Sequence, residues 1–281
     1  MESTQTEVLS SLAASSFPLL VYDHGEEPDN SQMVFSVADG STRTLKIPEL
    51  RNYRCLETPS GLVLIVDTAS LQSSLWDPQT GEKMALPVMD KALPDRCRCL
   101  LSDTFTAPDC LVLIYDLRQP ELLSVRVLSL YHDPEPRLEI ANFDAPMPTI
   151  VTDALQIITM SYLLESSQEL FMVCLFYVHY SFERPEEVGA YRMDFDKHQW
   201  CKVTDIGDRA FILGPANFAA SCSAKEHGLK SGCVYFAYDF MGDSNNFHIF
   251  DLMEGTREVV GPTQHVPVLS RKPFWLLPVL P

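Results

Sequence analysis

The sequence predicts an all-β fold, and three observations carry that reading. Short apolar runs rich in β-branched and aromatic residues recur along the chain, several of them ending in aspartate. Turn-forming clusters with Asp, Pro and Gly lie between or after those runs. Twenty prolines, scattered through 281 residues, leave little room for long helices.

Taken in order, the runs are Leu19 to Asp23, Leu64 to Asp67, Leu113 to Asp116, Val234 to Asp239 and His248 to Asp251. Each is too short for a stable helix and reads as a buried strand. Asp39-Gly40 follows Val34 to Val37 and precedes the alternating run Arg43 to Ile47, a hairpin in which glycine supplies the positive φ. Trp76 to Glu82 repeats that logic, with Pro78 setting φ and Gly81 providing the exit, and Phe250 to Gly255 repeats it again. Thr149 to Phe182 contains no proline, and Leu155, Ile158 and Tyr162 also fit a 3.6-residue period, so a helix stays open there. Strands are preferred, because Ile, Val, Thr and aromatics dominate and Ser166-Ser167 offers a turn.

The first three terminal aspartates recur at intervals of about 45 residues, near the period of a four-stranded propeller blade. Grouping strands in fours gives units near 17–48, 54–88, 97–141, 150–203 and 207–260. The first is one strand short. Val266 to Leu269 followed by Phe274 to Leu277 is expected to supply it, so that the C-terminal strand closes the ring beside the first unit and no sheet edge is left open. The expected organisation is therefore a flexible N-terminal leader, residues 1–16, and a β-propeller domain, residues 17–281. Within the leader, Val8, Leu9 and Leu12 can form one helical turn on binding, although a frayed terminus is the plainer reading.

Composition narrows the function. Lys and Arg number 21 against 38 for Asp and Glu, a net charge of −17, which argues against binding a phosphate backbone. The longest wholly apolar run, Phe171 to Val178, is far shorter than the roughly 18 residues of a membrane span. Neither a basic, apolar secretory leader nor an Arg-rich presequence opens the chain, and no Asn-x-Ser/Thr acceptor occurs. A chain this long needs no disulfide staples, so the eight cysteines read as reduced thiols of a cytoplasmic or nuclear protein.

The sequence offers no catalytic, cofactor-binding or metal-ligating constellation, and no site residue is assigned. No two glycines are separated by a single residue, which excludes dinucleotide and kinase-type phosphate loops. Gly228 to Gly232 places its serine one position too late for a nucleophile elbow. Cys97-Arg98-Cys99 has one intervening residue where structural zinc knuckles use two to four, and on a strand both thiols face the same packed layer. His179 and His248 read as packed residues. The strand-terminal aspartates are expected to bond the backbone of their own turns rather than form an ion-binding ring. Asp208-Arg209 is open as a binding pair or a structural bridge, with the structural reading preferred. The acidic surplus is expected to solvate the surface and, secondarily, to steer a basic partner.

Several segments, in order, resemble one plant family. They are Ser60 to Leu64 running through Leu75 to Leu86-Pro87, then Pro108 to Val112, then Leu164 to Phe171 followed by Tyr191 to Asp194 and Trp200. The C-terminal part is Gly207 to Gly214, Gly228 to Lys230 and Cys233 to Phe236. Together they are similar to the KIB-type β-propeller of plant F-box proteins, long catalogued as a domain of unknown function. That resemblance implies a non-enzymatic propeller that captures a protein substrate, beside an F-box that docks on a Skp1-type adaptor of a cullin ubiquitin ligase. Some members are associated with degradation of signalling kinases, so a kinase is the partner class implied. No cofactor and no catalytic residue follow from it.

Two departures shape the expectation. Only sixteen residues precede Phe17, where an F-box needs roughly forty, so direct docking on the Skp1-type adaptor is not expected of this chain. The interval from Asp116 to Leu164 is about one blade shorter than the family pattern, which points to five blades where the family has six. The leading expectation is a monomeric protein-interaction propeller without its own F-box. A ligase receptor whose F-box is encoded upstream is the alternative, and a propeller hydrolase the distant one.

Overall fold

The structure is a computed structural model that describes residues 12, 16–22, 31–89, 91–95, 97–105, 107, 110–116, 125–129, 146–150, 157–178, 185–237, 247–260 and 273–279. They form five sheets in two compact units, Met1–Arg137 with Gln264–Pro281, and Leu138–Thr263. Four sheets are wholly antiparallel and the fifth is mixed, so the all-β class stands.

In the first unit, β1 (Leu19–Tyr22), β2 (Gln32–Ser36) and β3 (Thr42–Leu45) form a meander whose open edge is taken by β20 (Phe274–Leu276). Leu19 pairs with Leu276 and Val21 with Phe274, so the C-terminal strand does complete the first sheet. Residues 266–269, expected to help, lie outside the described residues. Gln32 is fully buried; its side chain accepts the Ile47 N–H at 2.8 Å and donates to the Ile47 carbonyl at 3.4 Å. That clamp leads the chain into a five-residue helix, α1 (Pro48–Asn52), with Pro48 in the first turn, where no helical N–H is needed.

The second sheet, β4 (Tyr53–Glu57), β5 (Val63–Asp67), β6 (Ser73–Trp76) and β7 (Lys83–Leu86), is a simple meander. The third holds β8 (Cys97–Leu101), β9 (Leu111–Asp116) and β10 (Val125–Ser129), three strands among the described residues. The first and second sheets share a core of Leu19, Val21, Val34, Ile65, Trp76 and Leu276, into which Leu12 of the expected leader is also buried. The second and third share Leu64, Val66, Leu75, Cys97, Cys99 and Ile114.

In the second unit, β11 (Ile157–Ser166), β12 (Glu169–Val178), β13 (Glu187–Asp194) and β14 (Gln199–Val203) make an antiparallel sheet with ten-residue strands at its start. The helix left open by periodicity gives way to strands. Tyr162, Leu164 and Ser166 are buried while Leu163 and Glu165 are exposed, the two-residue alternation of a strand with one covered face. The turn is Ser167-Gln168, one residue later than expected, and both residues have positive φ (53° and 63°). That is the two-residue loop whose twist matches a hairpin.

The last sheet corrects the grouping in fours. It has five strands, in the order β16-β15-β17-β18-β19: β15 (Arg209–Gly214), β16 (Phe218–Ser223), β17 (Cys233–Ala237), β18 (Phe247–Asp251) and β19 (Arg257–Val260). Pro215–Asn217 makes a single 3-10 turn that folds β16 back on β15, and β17 then pairs with the other edge of β15 in parallel. The extra strand escapes a propensity reading because Phe218–Ser223 is mostly Ala, Ser and Cys. Its small residues nonetheless pack, with Ala219 and Ala220 buried.

One turn recurs. Ser36–Ser41, Asp67–Gln72, Asp77–Glu82 and Asp251–Thr256 each close with a backbone bond across a four-residue loop whose last member has positive φ: Gly40, Leu71, Gly81 and Gly255. Asp194 to Gln199 has the same length, with His198 at φ 50°. Asp39-Gly40 is thus the end of a four-residue loop, and only its glycine has positive φ.

Candidate functional site

Most polar residues singled out by the sequence serve the scaffold. Asp67 accepts the N–H groups of Ala69 and Ser70, Asp77 those of Gln79 and Thr80, and Asp251 those of Met253 and Glu254, at 2.7 to 3.3 Å. The amides of Ser70 and then Ala69 hold the Asp67 carboxyl below the usual range. These aspartates are turn-makers, as expected. Asp23, Asp239 and the Asp116 side chain lie outside the described residues, as does His179.

Cys97 and Cys99 are buried in one apolar cluster, and burial raises the Cys99 thiol far above its ordinary pKa, with Cys97 and Cys110 adding to the effect. All eight cysteines are free thiols. Among the described residues no three His, Cys, Asp or Glu side chains gather as a metal site. His248 is buried and stacks on Phe236 with centroids 5.1 Å apart; desolvation, aided by the charge of Arg257, pulls its pKa down to about 4. The Gly228 to Gly232 segment is a loop pinned by the Lys230 N–H donating to the Tyr235 hydroxyl at 2.8 Å.

Asp208 and Arg209 reach in different directions. Asp208 accepts from Ser223 Oγ (2.9 Å), the Lys225 N–H (3.0 Å) and Ser231 Oγ (3.1 Å), tying the loop after β16 to the start of β15. Those bonds, the Ser223 hydroxyl first, hold its carboxyl below the usual range. Arg209 instead turns to Glu169 and lies with its guanidinium 5.2 Å from the centre of the Phe171 ring.

Around Arg209 the second unit forms a polar cleft. Glu169 opens β12, Arg192 lies on β13 and Arg209 opens β15, so the pairing of β12 with β13 and the packing of β15's sheet against theirs bring the three together. Glu169 Oε1 accepts from Arg192 Nη1 at 2.8 Å and Oε2 from Arg209 Nη2 at 3.0 Å. Hydrogen bonding from Arg192, and secondarily from Arg209, holds the Glu169 carboxyl below its ordinary range. Phe171 and Ile206 line the cleft from the core, and Val203, Asp205, Gly207 and Asp208 complete it around about 300 Å³. Asp205 Oδ1 accepts the Gly207 N–H at 2.8 Å, and Gly207 sits at φ 66°, the left-handed conformation this turn requires. Glu169, Arg192 and Arg209 lie in three separate segments of the sequence. No local signal joins residues 23 and 40 positions apart; strand pairing joins the first pair and packing between sheets the second.

No curated protein sequence matches the chain. Among solved structures, an oligogalacturonate lyase in complex with manganese is similar at 12% identity and a TM-score of 0.28, covering 83% of this chain and 70% of that one. The WD40 domain of SCAP from fission yeast is similar at 10% identity and a TM-score of 0.21, covering 88% of this chain and 56% of that one. The family model described as the KIB1-4 β-propeller matches residues 34–134 and 122–251, which together take in most of the chain and both β12 and β15. With strand pairing and family match in agreement, this chain belongs to the KIB1-4 β-propeller family.

Proposed function

We propose that this chain is a non-enzymatic protein-recognition propeller that presents a bound protein, a signalling kinase by family resemblance, to a cullin-type ubiquitin ligase in the cytoplasm or nucleus. The observation that supports it is the family match from residue 34 to residue 251. The chemistry of the described residues agrees. Asp67, Asp77 and Asp251 are engaged in turns, burial raises the Cys99 thiol above its ordinary range, and the polar cleft at Glu169 is one of ion pairs. Such a surface discriminates partners by charge and shape.

The test is capture of the full chain from plant cells with cross-linking, followed by measurement of the captured partner's abundance. The partner's ubiquitylation is expected to fall, and its level to rise, when the chain is depleted. A stable partner whose level and ubiquitylation are unchanged would remove the ligase role and leave only the binding one. Turnover of a small-molecule substrate by the purified chain would overturn the non-enzymatic reading.

A further inference from the structure

We propose that the Glu169 cleft is a recognition pocket for a basic side chain, arginine or lysine, of the protein partner; this deepens the protein-recognition reading and rests on it. The argument begins with charge. Three carboxylates, Glu169, Asp205 and Asp208, face two guanidiniums, Arg192 and Arg209, so the lining carries one net negative charge in a chain of net −17. A cationic guest brings the cleft to neutrality, whereas an anionic guest meets three carboxylates and the field of the whole chain.

The unused acceptors point the same way. Each oxygen of Glu169 takes one donor, leaving a lone pair on each, and Asp205 spends only Oδ1, on the Gly207 N–H. Asp208, by contrast, is engaged by three donors on its own loops. The pocket's free acceptors are therefore at Glu169 and Asp205. Phe171 and Ile206, 2% and 3% exposed, close the inner end of the cleft, and the Arg209 guanidinium lies over the Phe171 ring, so a guest's charged head meets a polar lining.

Arg192 has a role that stability does not account for. Ion pairs this exposed contribute only ~0–1 kcal/mol, and Arg192 is 53% exposed. What the two arginines do is fix both oxygens of Glu169 in advance, so that a partner does not have to order it on binding. Arg209 is itself held by its place over Phe171. The result is a carboxylate with a set direction at the mouth of a cleft large enough for one side chain.

The experiment uses the full chain with ¹³C-labelled Ile and Val methyls and follows Ile206 and Val203. The probes are a capped Gly-Ser-Arg-Ser-Gly pentapeptide and the same peptides with citrulline or glutamate in place of arginine. The arginine peptide is expected to shift both methyls saturably, and the citrulline peptide, equal in shape but uncharged, to leave them in place. Asp205→Asn keeps the acceptor for Gly207 and removes the charge, and should weaken the arginine peptide at least about fivefold. Glu258→Gln, at a surface carboxylate paired with Lys230 away from the cleft, should leave it unchanged. Equal shifts with citrulline, preference for glutamate, or no shift at ~10 mM arginine peptide, where even weak binding registers, overturns the proposal. Because the probe is a synthetic peptide, its failure alongside successful partner capture sinks only the pocket, while failure of the capture sinks the broader reading.

Discussion

The sheet β11–β14 and the sheet β20-β1-β2-β3 have the same strand count and the same antiparallel pattern, but they are specified over different distances. The first joins residues 157 to 203 through successive connections, and its β11–β12 pair alone runs through ten residues in register. The second joins Leu19 to Leu276, with almost the whole chain between them. Loop-closure entropy rises only logarithmically with length, by about 0.6 kcal/mol per doubling, so the long connection is affordable, but it offers no help with register. The remote strand therefore needs contacts that a local hairpin does without.

Those contacts are visible at both ends of the tail. The Trp275 N–H donates to Glu57 Oε1 at 3.1 Å and the Val279 N–H to Gln79 Oε1 at 3.0 Å, so side chains of the neighbouring sheet satisfy backbone groups of the tail. Gly61, at φ 88°, leaves space that a Cβ would take from the Pro278 carbonyl. Trp275, Leu276 and Leu277 are buried. The lesson is that the same blade-like sheet is encoded once by period and turn, and once by notches and acceptors placed elsewhere in the chain.

The largest expected effect comes from breaking the remote half. Removing residues 272–281 strips the large buried side chains Trp275, Leu276 and Leu277, at roughly 1.5–3 kcal/mol each, a sum comparable to the whole stability of a domain. It also bares the edge of β1. Loss of a cooperative melt, with aggregation, is the expected outcome. Gly61→Ala should be milder yet still cost about 2–4 kcal/mol, because both φ and the Pro278 backbone resist it. A melting curve for either variant superimposing on that of the parent would show that the tail is dispensable.

An intermediate effect is expected from Glu57. Part of the residue remains in contact with solvent, but its carboxyl turns inward, and desolvation raises its pKa to about 7 against the opposing Trp275 N–H, its own backbone N–H and the charge of Arg98. Since the folded state binds this proton more tightly than the unfolded chain, its contribution is full below about pH 4.5 and is lost as pH rises through 7. Glu57→Gln retains an oxygen for the Trp275 N–H and has no charge to bury. Thermal unfolding of the variant should be flatter between pH 5 and 8 than that of the parent, and at pH 8 more stable by on the order of 2 kcal/mol. A parallel pH dependence in the two proteins would exclude Glu57 as the source.

How much of this was legible follows the same division. The strands ending in Asp67, Asp116 and Asp251, and the turns with Gly81 and Gly255, could be read because each depends on residues within five or six positions. The closing strand was legible only by subtraction, from a first unit one strand short, and nothing local marked Glu57, Gln79 or Gly61 as its holders. The strand β16 was missed because burial, not propensity, makes Phe218–Ser223 extended. The Glu169 cleft was missed because its three ionic residues come from β12, β13 and β15, and their meeting depends on strand pairing and on the packing of two sheets.

The smallest effect compares the same turn in the two sheets. The β2–β3 loop ends in Gly40 at φ 68°, with open space where a Cβ would go, and the β13–β14 loop ends in His198 at φ 50°, an exposed residue. Left-handed backbone costs a side-chain-bearing residue about 1–2 kcal/mol, and glycine avoids it at some loss of unfolded-chain restriction. Gly40→Ala should therefore destabilise by about 1 kcal/mol, whereas His198→Gly should stabilise by a few tenths, the strain relieved being partly offset by the freer unfolded chain. At this chain length those values correspond to melting shifts of about 2–4 °C down and under about 2 °C up. Two shifts of the same sign would mean that something other than turn geometry decides stability at these loops. Opposite signs would show that the remote sheet already carries the optimal turn residue and the local sheet does not, as expected if the eight-residue strand β13 tolerates a strained loop that the shorter β2 and β3 do not.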